Sequence, residues 1–233
     1  MIHGIKRRIK NGAKRILHAR IYRELVRLRG VFKGDEAYWI LSLDDAIALD
    51  TIIKKHHVKK VLELGGGIGG GTLGMAWSLP PEGTIDYVEQ VRQCVARAKE
   101  LIPKEYQKKI RFHHSKTKLT EPFRYHTAIS YAELPQGREE EYDMVVIDGP
   151  SFHVENGEFV TTLPRGDIFT LLPKLKDGAV IYIDGSAPTV KLLKRFYSHC
   201  LEKHSRYFIK RGDATEPYDG KKQALLDKGF TLE

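Results

Sequence analysis

The chain has 233 residues, of which 41% are hydrophobic, and a formal net charge of +9. This length and composition predict one globular domain with a sizeable core and a small appendage. They exclude a low-complexity chain and a disulfide-stabilised miniature fold. Cys94 and Cys200 lack the spacing of a metal or redox site, so we expect packed free thiols in a reducing compartment.

The positive charge is concentrated at the N-terminus. Residues 1–33 hold eleven Lys and Arg against one acid, whereas the other 200 residues hold 28 basic and 29 acidic side chains. Apolar positions near one helical face predict a basic amphipathic helical extension over 1–33, followed by a domain over 34–233. The extension has three open roles: a helix docked on the domain, a contact with an anionic membrane surface, or a contact with nucleic acid. Without a signal-peptide pattern we expect a cytoplasmic protein, with the membrane periphery as the alternative location.

After the extension, predicted helices and strands alternate along the chain. The predicted helices cover residues 35–55, 72–79, 91–101, 168–175 and 189–201. The predicted strands cover residues 58–64, 85–88, 110–114, 144–147, 179–183, 206–210 and 230–232. This alternation predicts a mostly parallel sheet with helices on both faces. The long segments 120–141 and 151–167 are predicted as functional loops, the first of them as a lid.

The segment 61–72 reads VLELGGGIGGGT, a short apolar strand followed by six glycines in seven residues. Glycines at a strand-to-helix turn allow a ligand to approach the backbone closely. Residues 64–81 are uncharged and long enough for a membrane span, but seven glycines and the Pro80-Pro81 pair argue against one. Gly65, Gly67 and Gly70 also satisfy the dinucleotide pattern GxGxxG, which alone is a weak signal.

Three acids close later predicted strands. Glu89 ends the second strand, where a carboxylate can accept hydrogen bonds from ribose hydroxyls. Asp148 ends the strand in EYDMVVIDGP, and Asp184 ends the strand in GAVIYIDG. Because ligands of open α/β sheets bind beyond the carboxyl ends of the strands, we expect these acids to border one site.

Over about residues 40–210 this ordered set resembles the class I S-adenosylmethionine (SAM)-dependent methyltransferases. Glu63-x-Gly65-x-Gly67-x-Gly69 is similar to the first motif of that family, and the YDxVxIDG form around Asp148 is familiar among small-molecule O-methyltransferases. The resemblance implies a Rossmann-like, doubly wound, mostly parallel sheet of seven strands. Its final strand is inserted antiparallel, and residues 230–232 are the candidate for that strand.

The resemblance also implies roles for individual residues. The expected SAM-binding residues are Glu63, Gly65, Gly67, Gly69, Thr72, Glu89, Ser115 and Asp148. Ser115 stands near a position where the family commonly has an aspartate that contacts adenine. The expected catalytic residues are Asp148, His153 and Asp184, since an alcohol nucleophile benefits from a base.

A divalent metal is a further alternative. Catechol-type O-methyltransferases hold a divalent ion with an aspartate after the fourth strand and an Asp-Asn pair after the fifth. Asp148 and Asp184 match the two aspartates, but Gly185 stands in place of the asparagine. We therefore leave metal ligands unassigned and treat Mg²⁺ as the less favoured option.

These features predict a SAM-dependent methyltransferase that acts on oxygen of a small-molecule or glycan-like acceptor. The alternatives are methylation of RNA or protein with the basic extension as substrate contact, aminopropyl transfer, and a non-catalytic SAM-binding scaffold at a membrane. Arg165 has two interpretations: a clamp on a carboxylate or phosphate of the acceptor, or a surface salt bridge with Asp167 or nearby acids.

Overall fold

The computed structural model describes residues 19–32, 42–123, 126–136, 139–156 and 158–218. The α-helices are α1 (Ala19–Arg29), α2 (Leu43–Lys55), α3 (Gly70–Ser78), α4 (Arg92–Leu101), α5 (Lys104–Gln107), α6 (Asp167–Leu171) and α7 (Ala187–Phe196). The strands are β1 (Lys60–Leu64), β2 (Thr84–Glu89), β3 (Ile110–His114), β4 (Thr117–Phe123), β5 (His126–Tyr131), β6 (Met144–Ile147), β7 (His153–Glu155), β8 (Glu158–Val160), β9 (Val180–Ile183), β10 (Leu201–Lys203) and β11 (Tyr207–Lys210).

Seven strands form one sheet in the order β10-β11-β9-β6-β1-β2-β3. β1 lies between β6 and β2 and runs parallel to both, with Leu64 opposite Ile147 of β6 and opposite Val88 of β2. β3 and β9 extend the parallel arrangement outward. Strands β2 and β3 are added on one side of β1, and β6 and β9 on the other side. The crevice of such a doubly wound sheet therefore lies at the carboxyl ends of β1 and β6. The predicted Rossmann-like seven-stranded fold is confirmed.

The prediction for the antiparallel strand was wrong in its position. Strand β11 pairs antiparallel with β9 on one side and with β10 on the other. The predicted helix over 189–201 ends at Phe196, and Leu201 begins the outermost strand instead. Residues 230–232 lie outside the described part of the chain. Short edge strands such as β10 have no clear periodicity, which is why the helical prediction extended over it.

Both long predicted loops contain hairpins. Strands β4 and β5 pair antiparallel, and so do β7 and β8. The first hairpin is anchored by a ring cluster in which Phe123 stacks on Phe196 of α7 at 4.2 Å between centroids. This packing places the end of β4 against α7, so part of the predicted loop 120–141 is a hairpin packed on the domain.

The sheet separates two apolar cores. Val61, Val146 and Tyr182 point toward the core shared with α2, α3 and α4, whereas Leu62 and Ile147 point toward the core shared with α6 and α7. Alternate side chains of a strand point to opposite faces, so a parallel strand covered on both faces is apolar throughout. The β6 sequence MVVI, buried at all four positions, shows this pattern.

Helix α1 is docked on the first core. Leu25 and Leu28 are each 3% exposed, while Arg23 and Arg27 face solvent. The apolar face of this helix is therefore already covered by the protein. Residues 1–18 and 33–41 lie outside the described part, and with them most of the predicted extension and the start of the predicted helix over 35–55. No helix of the described segments combines the length and apolar character needed to cross a bilayer.

A polar network lies where β2 meets β3. The Asp86 carboxylate, 1% exposed, accepts hydrogen bonds from Arg111, from His113 at 2.9 Å and from the Tyr142 hydroxyl at 2.9 Å. Burial opposes ionisation of Asp86, but these donors outweigh it and hold the pKa of the carboxyl well below its usual range. The network fixes the outer parallel strand, whose carboxyl end borders the crevice.

Replacing Asp86 tests that network. Asp86→Asn removes the charge that Arg111 and His113 face. We expect a loss of about 3 kcal/mol in the free energy of unfolding, the lower end for a broken buried pair because the side chains of Arg111 and His113 are partly exposed. The control Glu82→Gln removes an exposed ion pair with Lys59 and should cost less than about 1 kcal/mol. Urea denaturation measures both variants, and equal losses would contradict the assigned role.

Candidate cofactor and active site

The glycine-rich turn connects β1 to α3 at the crevice. Gly65, Gly67 and Gly69 all have positive φ, at 91°, 53° and 91°. A Cβ on Gly65 would lie 2.3 Å from the backbone nitrogen of Gly149, so the turn after β1 touches the loop after β6. Only glycine permits this contact together with this conformation. The turn therefore presents bare backbone toward the crevice, as close approach of a ligand requires.

Glu89 holds this turn in place. Its carboxylate accepts hydrogen bonds from the Gly67 amide at 2.9 Å and the Val91 amide at 2.8 Å. Burial raises the pKa of Glu89, and the two amides act in the opposite direction. Each carboxylate oxygen keeps a further lone pair, so Glu89 can still accept a hydrogen bond from a ligand hydroxyl.

Glu63 is buried beneath the same turn and is 3% exposed. The Thr72 hydroxyl of α3 donates to its carboxylate at 2.6 Å, which joins the centre of β1 to the first turn of the helix. Burial raises the pKa of Glu63 to about 8 against the effect of the Thr72 hydrogen bond, and the charges of Asp148 and Glu89 add to the rise. At neutral pH the side chain is therefore mostly the uncharged acid.

Asp148 and Asp184 follow the neighbouring strands β6 and β9. Ile147 and Ile183 are paired across these strands, so the two aspartates emerge side by side. The side chain of Asp148 is exposed in the crevice, but the protein around it removes part of the hydration of its carboxyl group. This partial desolvation and the negative charge of Asp184 raise the pKa of Asp148 to about 7. The pKa of Asp184 is also raised, by partial burial and by Asp45. This part of the site is acidic, and the raised pKa of Asp148 allows that side chain to gain or lose a proton near neutral pH.

His153 and Ser115 lie in the walls of the crevice. The His153 Nδ1 lies 2.9 Å from the Thr117 hydroxyl, and no hydrogen bond joins this ring to Asp148 or Asp184 within the described segments. The Ser115 hydroxyl accepts from the Glu133 amide at 2.9 Å and donates to the Lys116 carbonyl at 3.1 Å. Both side chains thus fix the hairpin beside the crevice.

Several residues of the site have no recognisable signal in the sequence. The Gln90 amide accepts from the Ser151 backbone at 3.0 Å and donates to the Phe152 carbonyl at 3.1 Å, which ties the loop after β6 to the end of β2. Tyr87 donates to the Gly67 carbonyl. Tyr131 reaches Gly149 from the end of β5. Their roles depend on contacts between distant segments, which no local pattern encodes.

A profile of the O-methyltransferase family matches residues 17–209. The chain belongs to the O-methyltransferase family. It is therefore a SAM-dependent methyltransferase, and SAM is its methyl donor. The glycine turn and Glu89 suit this cofactor, because bare backbone lies beside a carboxylate with free lone pairs.

Similar solved structures include the O-methyltransferase TomG from Streptomyces achromogenes, in complex with SAM. It is 14% identical over 82% of this chain and 90% of that chain, with a TM-score of 0.49. An O-methyltransferase from Bacillus cereus is 14% identical over 81% of this chain and 88% of that chain, with a TM-score of 0.46.

A Staphylococcus aureus protein assigned to the caffeoyl-CoA O-methyltransferases is 16% identical over 67% of this chain, with a TM-score of 0.41, and the match spans 61% of that protein. At sequence identities this low, the similarity to these structures concerns the fold alone. A search of curated proteins finds no significant match.

The residues present do not fit the metal site of catechol-type relatives. Asp148 and Asp184 supply two carboxylates, but Gly185 offers no side chain, and the Arg165 cation faces Asp148. No group of three or more metal-ligating side chains occurs among the residues that the structure describes.

The raised pKa of Glu63 predicts how stability varies with pH. The uncharged acid is favoured in the folded state, so its contribution is complete below the unfolded pKa near 4.5 and is lost as pH rises through about 8. Glu63→Gln mimics the uncharged acid and removes this loss. We expect the stability of the variant relative to wild type to grow across this window by at most about 1.4 kcal/mol per pH unit.

Urea denaturation at several pH values measures this difference. Glu105→Gln, at an exposed position, should give no such trend and serves as the control. A Glu63→Gln difference that stays constant from pH 5 to pH 8 would show that Glu63 is ionised throughout, contrary to its assigned state.

Proposed function

We propose that this enzyme methylates a hydroxyl oxygen of a small-molecule or glycan-like acceptor, with Asp148 as the general base. The observation that carries the proposal is the position of Asp148 at the end of β6, with a pKa raised to about 7. A base is most effective when its pKa lies near the working pH. Asp148 is also exposed to solvent, so an acceptor hydroxyl can reach it.

The neighbouring strand ends support this role. Asp184 keeps the pKa of Asp148 raised through its negative charge, and Arg165 acts in the opposite direction. In this proposal Asp184 is a positioning and tuning residue. His153 shapes the wall of the site, because its ring is held by Thr117.

The reaction follows from these positions. When bound, SAM supplies an electrophilic methyl carbon on a sulfonium sulfur. The glycine turn and Glu89 hold the cofactor, and Asp148 accepts the proton of the acceptor hydroxyl as its oxygen forms the new bond to carbon. The bound cofactor would supply the methyl group and would keep the electron pair of the carbon–sulfur bond on its sulfur. Alignment of the reacting atoms and a correctly placed base supply most of the rate enhancement.

A cavity beside Asp184 supports a hydroxylated acceptor of modest size. It has a volume of about 260 Å³ and opens at the carboxyl end of β9. Its polar and charged lining comprises Asp45, Tyr182, Asp184, Lys203, His204, Ser205 and Arg206. Ligand pockets commonly measure about 300–1,000 Å³, so this space suits a single sugar or aromatic ring.

The alternatives from the sequence gain less support. Methylation of RNA or protein through the basic extension remains a hypothesis, since residues 1–18 lie outside the described part of the chain. A membrane contact through α1 would have to use other residues than Leu25 and Leu28, because the protein core already covers them.

The proposal is tested by methyl transfer from SAM to a panel of phenols, catechols and sugars, followed as formation of S-adenosylhomocysteine (SAH). Asp148→Asn should lower the rate on any accepted compound by about 10²–10⁴-fold, because the base is lost. Wild-type activity should rise with pH and level off above about pH 7, as Asp148 loses its proton. SAH affinity should change little.

Asp213→Asn, at an exposed loop position, is the matched control and should keep full activity. Undiminished transfer by Asp148→Asn would exclude Asp148 as the base. A panel that yields no methylated product, with SAH binding intact, would argue against small hydroxylated acceptors.

Removal of divalent ions provides a separate test. Because the aspartate pair lacks a third ligand, we expect treatment with EDTA to leave the transfer rate and the SAH affinity unchanged. Added Mg²⁺ should not raise the rate either. A rate that EDTA abolishes and Mg²⁺ restores would show that Asp148 and Asp184 hold an ion despite Gly185.

A further inference from the structure

Arg165 lies between helix α7 and the β4–β5 hairpin, and its backbone contacts both. Its backbone amide donates to the Thr189 hydroxyl of α7 at 2.7 Å, and it forms a parallel bridge with Ile129 of β5. The guanidinium interacts electrostatically with Asp148 and Tyr131. Arg165 therefore carries a positive charge to the end of β6, where the reacting atoms meet.

The guanidinium is poorly satisfied for a partly buried cation. Its Nε is buried without a hydrogen-bond partner in the described part of the chain. A terminal nitrogen donates to the Leu163 carbonyl at 3.5 Å, a long contact. The salt bridge with Asp167 expected from the sequence is absent, because that carboxylate accepts from the Tyr131 amide at 3.0 and 3.2 Å. A buried donor without an acceptor costs free energy unless a ligand completes it.

A second unpartnered donor lies beside it. The Tyr131 hydroxyl is buried without a hydrogen-bond partner among the described residues, and the tyrosine is 2% exposed. It lies 3.0 Å from where a Cβ on Gly149 would stand, directly under the loop that carries Asp148. Two donors that lack acceptors thus converge on one place next to the base.

The location separates Arg165 from the proposed cofactor contacts, whereas Tyr131 lies between the two, near Gly149 and Glu89. The glycine turn, Glu63 and Glu89 belong to β1 and β2, whereas Arg165 is held by α7, which follows β9. A guanidinium fork matches the geometry of carboxylate and phosphate oxygens. We propose that Arg165, supported by Tyr131, binds a carboxylate or phosphate group of the methyl acceptor. This inference rests on the proposed hydroxyl methylation and narrows its substrate to anionic hydroxyl compounds.

Inorganic phosphate, titrated into the SAH-saturated enzyme by calorimetry at constant ionic strength, tests the site. We expect saturable binding that weakens at least about tenfold in Arg165→Gln, since both the charge and the fork are lost. Arg165→Lys keeps the charge and should lie between the two. Tyr131→Phe should weaken binding less than Arg165→Gln. Arg27→Gln, on the exposed face of α1, should bind phosphate as wild type does.

SAH binding distinguishes the possible failures. Normal SAH affinity with no saturable phosphate binding in wild type, or with equal binding in Arg165→Gln, overturns the anion site and leaves the methyltransferase assignment intact. Phosphate that binds only without SAH and competes with it would assign Arg165 to the cofactor carboxylate, which also overturns the inference. Loss of SAH binding by wild type would instead contradict the proposed function. Far-ultraviolet circular dichroism and an unfolding curve show whether each variant is folded.

Discussion

The contact between the backbones of Gly65 and Gly149 is the constraint on which the site depends. The Gly149 amide donates to the Leu64 carbonyl at 2.7 Å, and no Cβ fits between the two loops. This close approach brings the turn after β1 against the loop after β6. It places the cofactor turn held by Glu89 next to the acid Asp148. A methyl donor and a general base can act on one acceptor only if these two strand ends meet, so the chemistry follows from a steric requirement in the backbone.

The charged groups of the site differ between its β2 end and its β9 end. Toward β2, the buried acids Glu63 and Glu89 hold the turn, and burial raises the pKa of each. Toward β9, partial burial and the negative charge of Asp184 raise the pKa of Asp148, and Arg165 counters part of this rise. A cationic methyl donor favours the ionised acids, because an opposite charge nearby stabilises the charged form. The site thus combines acidic surroundings suited to a cation with an acid, Asp148, whose pKa lies near neutrality.

The two hairpins distinguish this chain from the simple alternation of strands and helices. The β4–β5 hairpin packs on α7 through Phe123 and Phe196, and it brings Tyr131 to the loop that carries Asp148. The β7–β8 hairpin is tied to it through His153 and Thr117. Together they form one side of the crevice. In the proposed site, the side chains beside the acceptor therefore come from inserted segments, while the proposed cofactor contacts come from the strands and the turn after β1.

The sequence by itself determined the parallel sheet and the cofactor end of the site. The apolar runs in β1 and β6, the glycines after Leu64 and the acid at the end of β2 are local patterns with local physical causes. The hairpins, the position of the antiparallel strand β11 and the surroundings of Arg165 required the tertiary structure. Their short strands have weak periodicity, and their contacts join residues far apart in the chain. Arg165 shows the difference clearly. Its place in the sequence left open an acceptor clamp or a salt bridge with Asp167 or nearby acids, whereas packing directs the Asp167 carboxylate to a backbone amide and places the guanidinium near Asp148.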